Sequence, residues 1–241
     1  MDFSAGGRKM KGILYGVGVG PGDPEHMTLK AVRIIKENDV ISVPGREPAS
    51  SAAYNTAVQA VPEIDKKTLI PINVPMTKDR RVVFEAVEKG AKTIEEYMER
   101  GENVVYITLG DPTVYSTFAY LQEIVSAHGF ETRYISGVPS FCAAAASLGI
   151  PLAQWDESFA IIPAVHEEDF QVDANVNYVC MKAGREMKKL GKMLSESGHN
   201  VCAVENCGMD GEKLYFGEEN IPDEAGYFSI VIGKKGQDEK N

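Results

Sequence analysis

Gly16-Val17-Gly18-Val19-Gly20-Pro21-Gly22-Asp23-Pro24-Glu25 follows a short apolar run and precedes a helical pattern. Four glycines at alternate positions clear side chains from the point where a strand turns into a helix. Main-chain N–H groups can approach a ligand closely there, and glycine tolerates the positive φ that such a turn needs. Several nucleotide-binding folds share this feature, and the details narrow the choice. A dinucleotide fingerprint G-x-G-x-x-G beginning at Gly16 or Gly18 requires glycine at position 21 or 23, where the chain has Pro21 and Asp23.

Outward from this loop, 12–18 reads as a buried first strand and 28–38 as a helix with Leu29, Val32 and Ile35 inward. A second strand at 39–43 is stopped by Pro44-Gly45, a helix covers about 50–60, and 68–74 is extended. Val83, Phe84, Val87, Ala91, Ile94 and Met98 then follow helical spacing until Gly101. The segment 103–109 is a continuous apolar strand of the parallel-sheet type, ending at Gly110-Asp111-Pro112. A helix is expected over 114–128, with Gly129 just past its end. This alternation predicts a doubly wound, mostly parallel α/β sheet that holds ligands at the carboxyl ends of its strands.

The second half differs. A small-residue helix at 140–148 leads into extended segments at 159–164, 176–182, 201–206, 213–217 and 227–234, interrupted by one long helix at about 185–197. Successive strands imply an α+β domain with a mixed, largely antiparallel sheet. The expected division is 11–118 for the α/β domain and 119–235 for the α+β domain, and the polar opening, 1–10, reads as a disordered tail.

Composition excludes some functions. The net charge is −10, which argues against a general binder of nucleic acid or membrane surfaces. An anionic substrate would need basic residues concentrated in one place. No apolar run approaches a membrane span and no signal-peptide pattern opens the chain, so a cytoplasmic location is expected. Cys142, Cys180, Cys202 and Cys207 lack C-x-x-C spacing and read as reduced core thiols, and the four histidines form no H-x-x-x-H pair. No protein-held metal is expected.

Two further segments invite chemistry. In Leu109-Gly110-Asp111-Pro112-Thr113-Val114-Tyr115, Asp111 suits a turn cap or, equally, a carboxylate presented to a ligand at a strand end. Ser136-Gly137-Val138-Pro139-Ser140, before Cys142 and a run of alanines, suits close helix packing or a helix start offering free N–H groups to an anionic ligand group.

Together the GPGDP loop, the GDP loop and the SGVPS helix start, in this order and spacing, resemble the tetrapyrrole methylases, enzymes that use S-adenosylmethionine; the resemblance runs from about residue 11 to 235. Val43-Pro44-Gly45-Arg46, 74–80 (VPMTKDR), 108–118 (TLGDPTVYSTF) and Glu205-Asn206-Cys207-Gly208 are similar to the subgroup that methylates C-20 of precorrin-2 or cobalt-factor II in corrin biosynthesis. Uroporphyrinogen methylases typically carry Tyr-Asp where this chain has Val43-Pro44. The resemblance implies a two-domain fold with the cofactor in the cleft between the halves. It implies cofactor contacts at Pro21, Leu109, Gly110, Asp111, Val114, Pro139, Ser140, Met181, Cys207 and Gly208, and a homodimer. A cofactor product, S-adenosylhomocysteine, would leave the same site.

Asp111, Tyr115 and Lys182 are the candidate catalytic residues, for orienting the macrocycle or handling a proton. Tyr115 as a packing residue and Lys182 as a solvated strand-end lysine are the competing readings. Arg46, Lys78 and Arg80 are candidate partners for the carboxylates of a tetrapyrrole substrate. Arg185, Lys188, Lys189 and Lys192 share a helix face and read as its solvated side. A same-fold methylase acting at another corrin position, or on a protein histidine derivative of the diphthine type, is the alternative function.

Overall fold

The structure, a computed structural model, describes residues 11–77, 79–163 and 171–236. The chain divides into two compact units, 1–138 and 139–241.

The first unit begins with β1 (Ile13–Gly18), then α1 (Leu29–Glu37), β2 (Val40–Pro44), α2 (Ala52–Ala60) and β3 (Thr68–Ile72). It continues with α3 (Arg80–Glu99), β4 (Val104–Thr108), α4 (Phe118–Ala127) and β5 (Glu131–Ile135). The strands form one sheet in the order β3-β2-β4-β1-β5, parallel throughout. Alternation of side chains along each strand feeds two cores. Tyr15, Val17, Ile41, Val43, Val105 and Ile107 meet α1 and α2 on one face. Leu14, Val40, Val104 and Tyr106 meet α3 and α4 on the other, with Ile94, Met98, Phe118 and Leu121 from the helices. Burial on both faces is why these strands read as unbroken apolar runs. The chain steps outward through α1 and α2 on one face and returns through α3 and α4 on the other. The strand order therefore reverses between β1 and β4, at whose carboxyl ends a ligand crevice is expected.

Several expectations are corrected. The unit border falls at Val138/Pro139 rather than near 118, because β5, absent from the sequence reading, pairs with β1 and keeps α4 in the first unit. The fourth helix starts at Phe118 and not at Val114: Thr113 turns back onto Asp111, Tyr115 has φ +47° and the Ser116 hydroxyl accepts from the Phe118 amide. Leu29, placed inward by periodicity, is 90% exposed, and the buried face of α1 is Ala31, Ile34 and Ile35.

The second unit contains α5 (Ser140–Ser147), β6 (Ser158–Pro163), β7 (Val176–Met181), α6 (Met187–Glu196), β8 (His199–Glu205), β9 (Lys213–Phe216) and β10 (Ser229–Lys235). Its sheet order is β6-β7-β10-β8-β9, with β6 and β7 parallel and the other pairs antiparallel. Met187, Leu190 and Leu194 of α6 pack on Tyr178, Cys180, Val201, Ala203 and Val231. The basic stripe lies on the other side, where Lys188 reaches Glu218 and Lys192 reaches Glu196. Alanines 143, 144 and 145 are buried as α5 lies on β10, the close approach that small side chains permit. No disulfide links any of the four cysteines; Cys180 and Cys207 are buried, whereas Cys142 is exposed and is not a core thiol.

Candidate active site

Backbone, not side chains, fills the switch point of the first sheet. Gly20 and Gly110 form an isolated antiparallel bridge: the Gly110 amide donates to Gly20 O at 2.6 Å and the Gly20 amide to Gly110 O at 3.3 Å. Gly20 has φ +77° and Gly110 φ +73°, the left-handed region in which a Cβ is penalised. Gly18 and Gly137 are held to glycine by proximity. A Cβ on Gly18 would stand 2.4 Å from Gly110 O and 2.7 Å from Gly137 N, and one on Gly137 would stand 2.2 Å from Gly110 O. The loops after β1, β4 and β5 thus interlock through their main chains.

Asp111 fastens this arrangement. Its Oδ1 accepts the Thr113 amide at 2.8 Å and the Thr113 hydroxyl, and its Oδ2 accepts the Gly137 amide at 3.0 Å. The residue is only 7% exposed. A buried carboxylate with three donors is electrostatically satisfied inside the protein, so the side chain serves as a strut between loops. Thr28 adds a parallel tie: it caps α1 through the Ala31 amide at 3.1 Å and donates to Ser136 O at 3.3 Å. Asp23, closing the glycine stretch, accepts the Glu25 amide at 2.8 Å.

Around this edge the first-unit candidates are distributed by strand. Tyr115 follows Asp111 in the β4 loop and is half exposed in its left-handed conformation, a conformation that a bulky residue adopts only at a cost. Arg46 lies in the loop after β2, and Arg80 is the first residue of α3, reached from β3; both are exposed. Lys78 lies outside the described residues. Asp111 and Tyr115 share one loop, and Arg46 and Arg80 lie beyond neighbouring strands of the same sheet edge.

The second-unit candidates sit at two places. Pro139 occupies the N-cap of α5, where no side chain caps the helix, and Ser140 begins it. Met181 ends β7 and is buried; Lys182 follows with φ +58° and its Nζ 6.0 Å from the Tyr227 ring centroid. Asn206, after β8, is also left-handed at φ +55°, so both strands that flank the start of β10 end on strained residues. Cys207 is buried, and that burial, with the Glu212 charge second, pushes its thiol up to about 11; it stays neutral at physiological pH. The Gly208 amide donates to Glu212 Oε2 at 2.6 Å. Glu205 holds the facing segment by accepting the Gly226 amide at 2.8 Å.

The sequence model of the tetrapyrrole (corrin/porphyrin) methylases matches residues 13–220. A relative from Methanocaldococcus jannaschii, named as a probable cobalt-precorrin-2 C(20)-methyltransferase, is 31% identical over 92% of this chain and 96% of its own length. The chain belongs to the tetrapyrrole methylases. A precorrin-2 C(20)-methyltransferase of a Sinorhizobium species is 27% identical over 92% of this chain and 94% of that protein. Among solved structures, a uroporphyrin-III C-methyltransferase from Thermus thermophilus complexed with S-adenyl homocysteine superposes with a TM-score of 0.63 at 22% identity, covering 92% of this chain and 97% of that one.

As a tetrapyrrole methylase, the chain carries the two-domain fold that its signature loops led one to expect. The sequence reading missed Gly137 and Thr113 as parts of the site. Gly137 was visible as one letter of the SGVPS stretch, but nothing local tied it to Asp111. Thr113 had a signal, since an Asp two residues before a Thr is a common side-chain-to-backbone turn. Among the described residues, no group of three or more His, Cys, Asp or Glu is placed to hold a metal ion, and no helix is long and apolar enough to cross a membrane.

Proposed function

We propose that this methylase transfers the methyl group of S-adenosylmethionine to C-20 of precorrin-2 or of its cobalt-bound counterpart in corrin biosynthesis. The observation that carries the reading is the glycine-bridged junction of the β1, β4 and β5 loops, taken with relatives of C-20 name that span nearly the whole chain. When bound, S-adenosylmethionine supplies an electrophilic methyl group on a sulfonium. The residues present fit such a molecule: an edge stripped of side chains offers main-chain groups, and the buried Asp111 carboxylate holds those loops in place.

In the first unit, Pro21, Leu109, Gly110 and Val114 take the cofactor through their backbones. Asp111 contributes by fixing the Gly137 peptide and the turn at Thr113. In the second unit, Pro139 and Ser140 offer the uncapped start of α5, while Met181, Cys207 and Gly208 present apolar surface and backbone. Tyr115 orients the macrocycle from the β4 loop, and Lys182 is a second candidate for that task. Arg46, Lys78 and Arg80 pair with peripheral carboxylates. Positioning of the reacting carbon, not a covalent intermediate, is the contribution asked of the protein. The active species is a homodimer.

The test is an anaerobic assay with labelled S-adenosylmethionine, offering precorrin-2 and cobalt-factor II in parallel. Label transferred to C-20 of either, located by mass spectrometry and NMR, is the expected result. Transfer to a different carbon, or cofactor binding with no transfer to either compound, would refute the C-20 assignment.

A further inference from the structure

Scattered exposed apolar residues are ordinary in a folded chain. Position makes two of them informative. Only three large apolar side chains among those described are more than three-quarters exposed: Leu29 at 90%, Met76 at 78% and Trp155. Leu29 and Met76 both belong to the first unit, and both lie in connections that leave the carboxyl edge of its sheet, Leu29 after β1 and Met76 after β3.

Neither is a frayed end. Leu29 is the first residue of α1, and Thr28 before it is pinned on both sides, to the Ala31 amide and to Ser136 O. Met76 is held in a turn: the Thr77 amide donates to Pro75 O at 3.1 Å, and the Asp79 amide to the Thr77 hydroxyl at 3.1 Å. Asp79 in turn caps α3 through the Arg81 amide at 2.9 Å. The backbone therefore presents a leucine and a methionine to solvent from fixed points, at the cost of apolar hydration.

Strand order sets the sequence of groups along this edge. Met76 comes from the β3 loop, Arg46 from the β2 loop, Tyr115 from the β4 loop and Leu29 from the β1 connection. Three interstrand gaps at about 4.8 Å put β3 and β1 roughly 14 Å apart. Arg46 and Arg80 carry no ion pair among the described residues, whereas Arg81 is paired with Asp79 at 3.7 Å. An edge with an apolar contact at either end, the Arg46 guanidinium between them and Arg80 at the Met76 end complements a broad, flat, apolar molecule rimmed with carboxylates.

We propose that Leu29 and Met76 are contacts for the apolar face of the tetrapyrrole macrocycle, and that they determine how tightly it is held; this rests on the function proposed above. Methionine suits the task, because its thioether adapts to irregular conjugated surfaces. The experiment titrates cobalt-factor II into wild type, Leu29→Ser, Met76→Ser and the double variant, anaerobically and in the presence of S-adenosylhomocysteine, following the absorbance of the macrocycle. Loss of one buried leucine or methionine contact gives roughly tenfold weaker binding for each single variant and roughly hundredfold for the pair. S-adenosylhomocysteine affinity, melting temperature and sedimentation coefficient remain those of wild type. Unchanged cobalt-factor II affinity would overturn the inference. So would a changed sedimentation coefficient, which would make the two residues part of a protein interface. If wild type binds S-adenosylhomocysteine but not cobalt-factor II or precorrin-2, the functional reading itself falls, and the inference with it.

Discussion

Gly137→Ala tests whether the interlocked loops are the foundation of the site. The backbone at Gly137 is not among those with positive φ, so alanine meets no conformational penalty there and the cost is steric. Its Cβ would be placed 2.2 Å from Gly110 O and 2.8 Å from Gly18 C, against the 3.4–4 Å of ordinary contact. These two atoms and Gly18 Cα at 2.9 Å are all backbone, so a rotamer change gives no relief, and the β5 loop must withdraw by roughly 1 Å. Overpacking of that kind costs about 1–3 kcal/mol. Withdrawal also stretches the 3.0 Å bond from the Gly137 amide to Asp111, a charge-assisted bond contributing about 1.5–3 kcal/mol. Part of both terms is recovered by relaxation, and the expected fall in melting temperature is about 5–15 °C. Calorimetric melting and isothermal titration with S-adenosylhomocysteine measure the two consequences, and cofactor affinity should fall at least about tenfold, the change that 1.4 kcal/mol brings. Gly129→Ala is the control. It pays for a φ of +80° but meets nothing within 4 Å, so it should lower the melting temperature modestly and leave cofactor affinity intact. If Gly137→Ala melts within about 2 °C of wild type, a shift worth well under 1–2 kcal/mol, and binds S-adenosylhomocysteine normally, the interlock is not what holds the site.

Asp111→Asn keeps the shape but must aim an NH₂ at either the Thr113 or the Gly137 amide, both donors. The expected loss is about 2–4 kcal/mol in urea unfolding, with weakened cofactor binding; unaltered stability with lost turnover would instead make Asp111 a directly acting group. Glu157 in the second unit is hydrogen-bonded to Lys234 at 2.6 Å and to Asn177 at 3.0 Å, and these two bonds, the Lys234 one larger, pull its carboxyl down to about 2 from the ordinary 4.5. Because its folded-state value is depressed, its stabilisation is present above pH 4.5 and drains away as the pH falls toward 2. Lys234→Met should flatten the stability-versus-pH curve across that window, and a curve as steep as wild type would remove Glu157 from the account.

The first sheet was legible because a strand buried on both faces has to be apolar throughout, as in 103–109. β5 escaped notice because it lies at the sheet edge: Glu131 and Arg133 point to solvent, and only Ile135 of the strand is buried. Leu29 fits the apolar period of α1, yet periodicity says nothing of where a helix's first residue stands relative to the sheet edge. Asp111 was found, but not its hydrogen bond to Gly137. Its decisive partner lies 26 residues away, and no local spacing reports a contact made across β1. Tyr115 was assigned to a helix on its apolar neighbours, whereas the turn at Asp111 and Thr113 keeps that stretch out of the helix until Phe118.

The place of β1 between β4 and β5 has a consequence for biosynthesis. The strand that bears the glycine loop is made first, and both its neighbours are made last, from Val104 and Glu131 onward. At about 5–20 residues per second, β1 waits on the order of 10 s with two open edges before either neighbour is complete. Throughout that interval the nascent chain offers a fully apolar strand to any passing partner, and the glycines that later seal the junction give it no side-chain protection. The glycine junction is therefore assembled only at the close of translation of the first unit, and the yield of folded protein depends on how well the emerging strand is shielded until then.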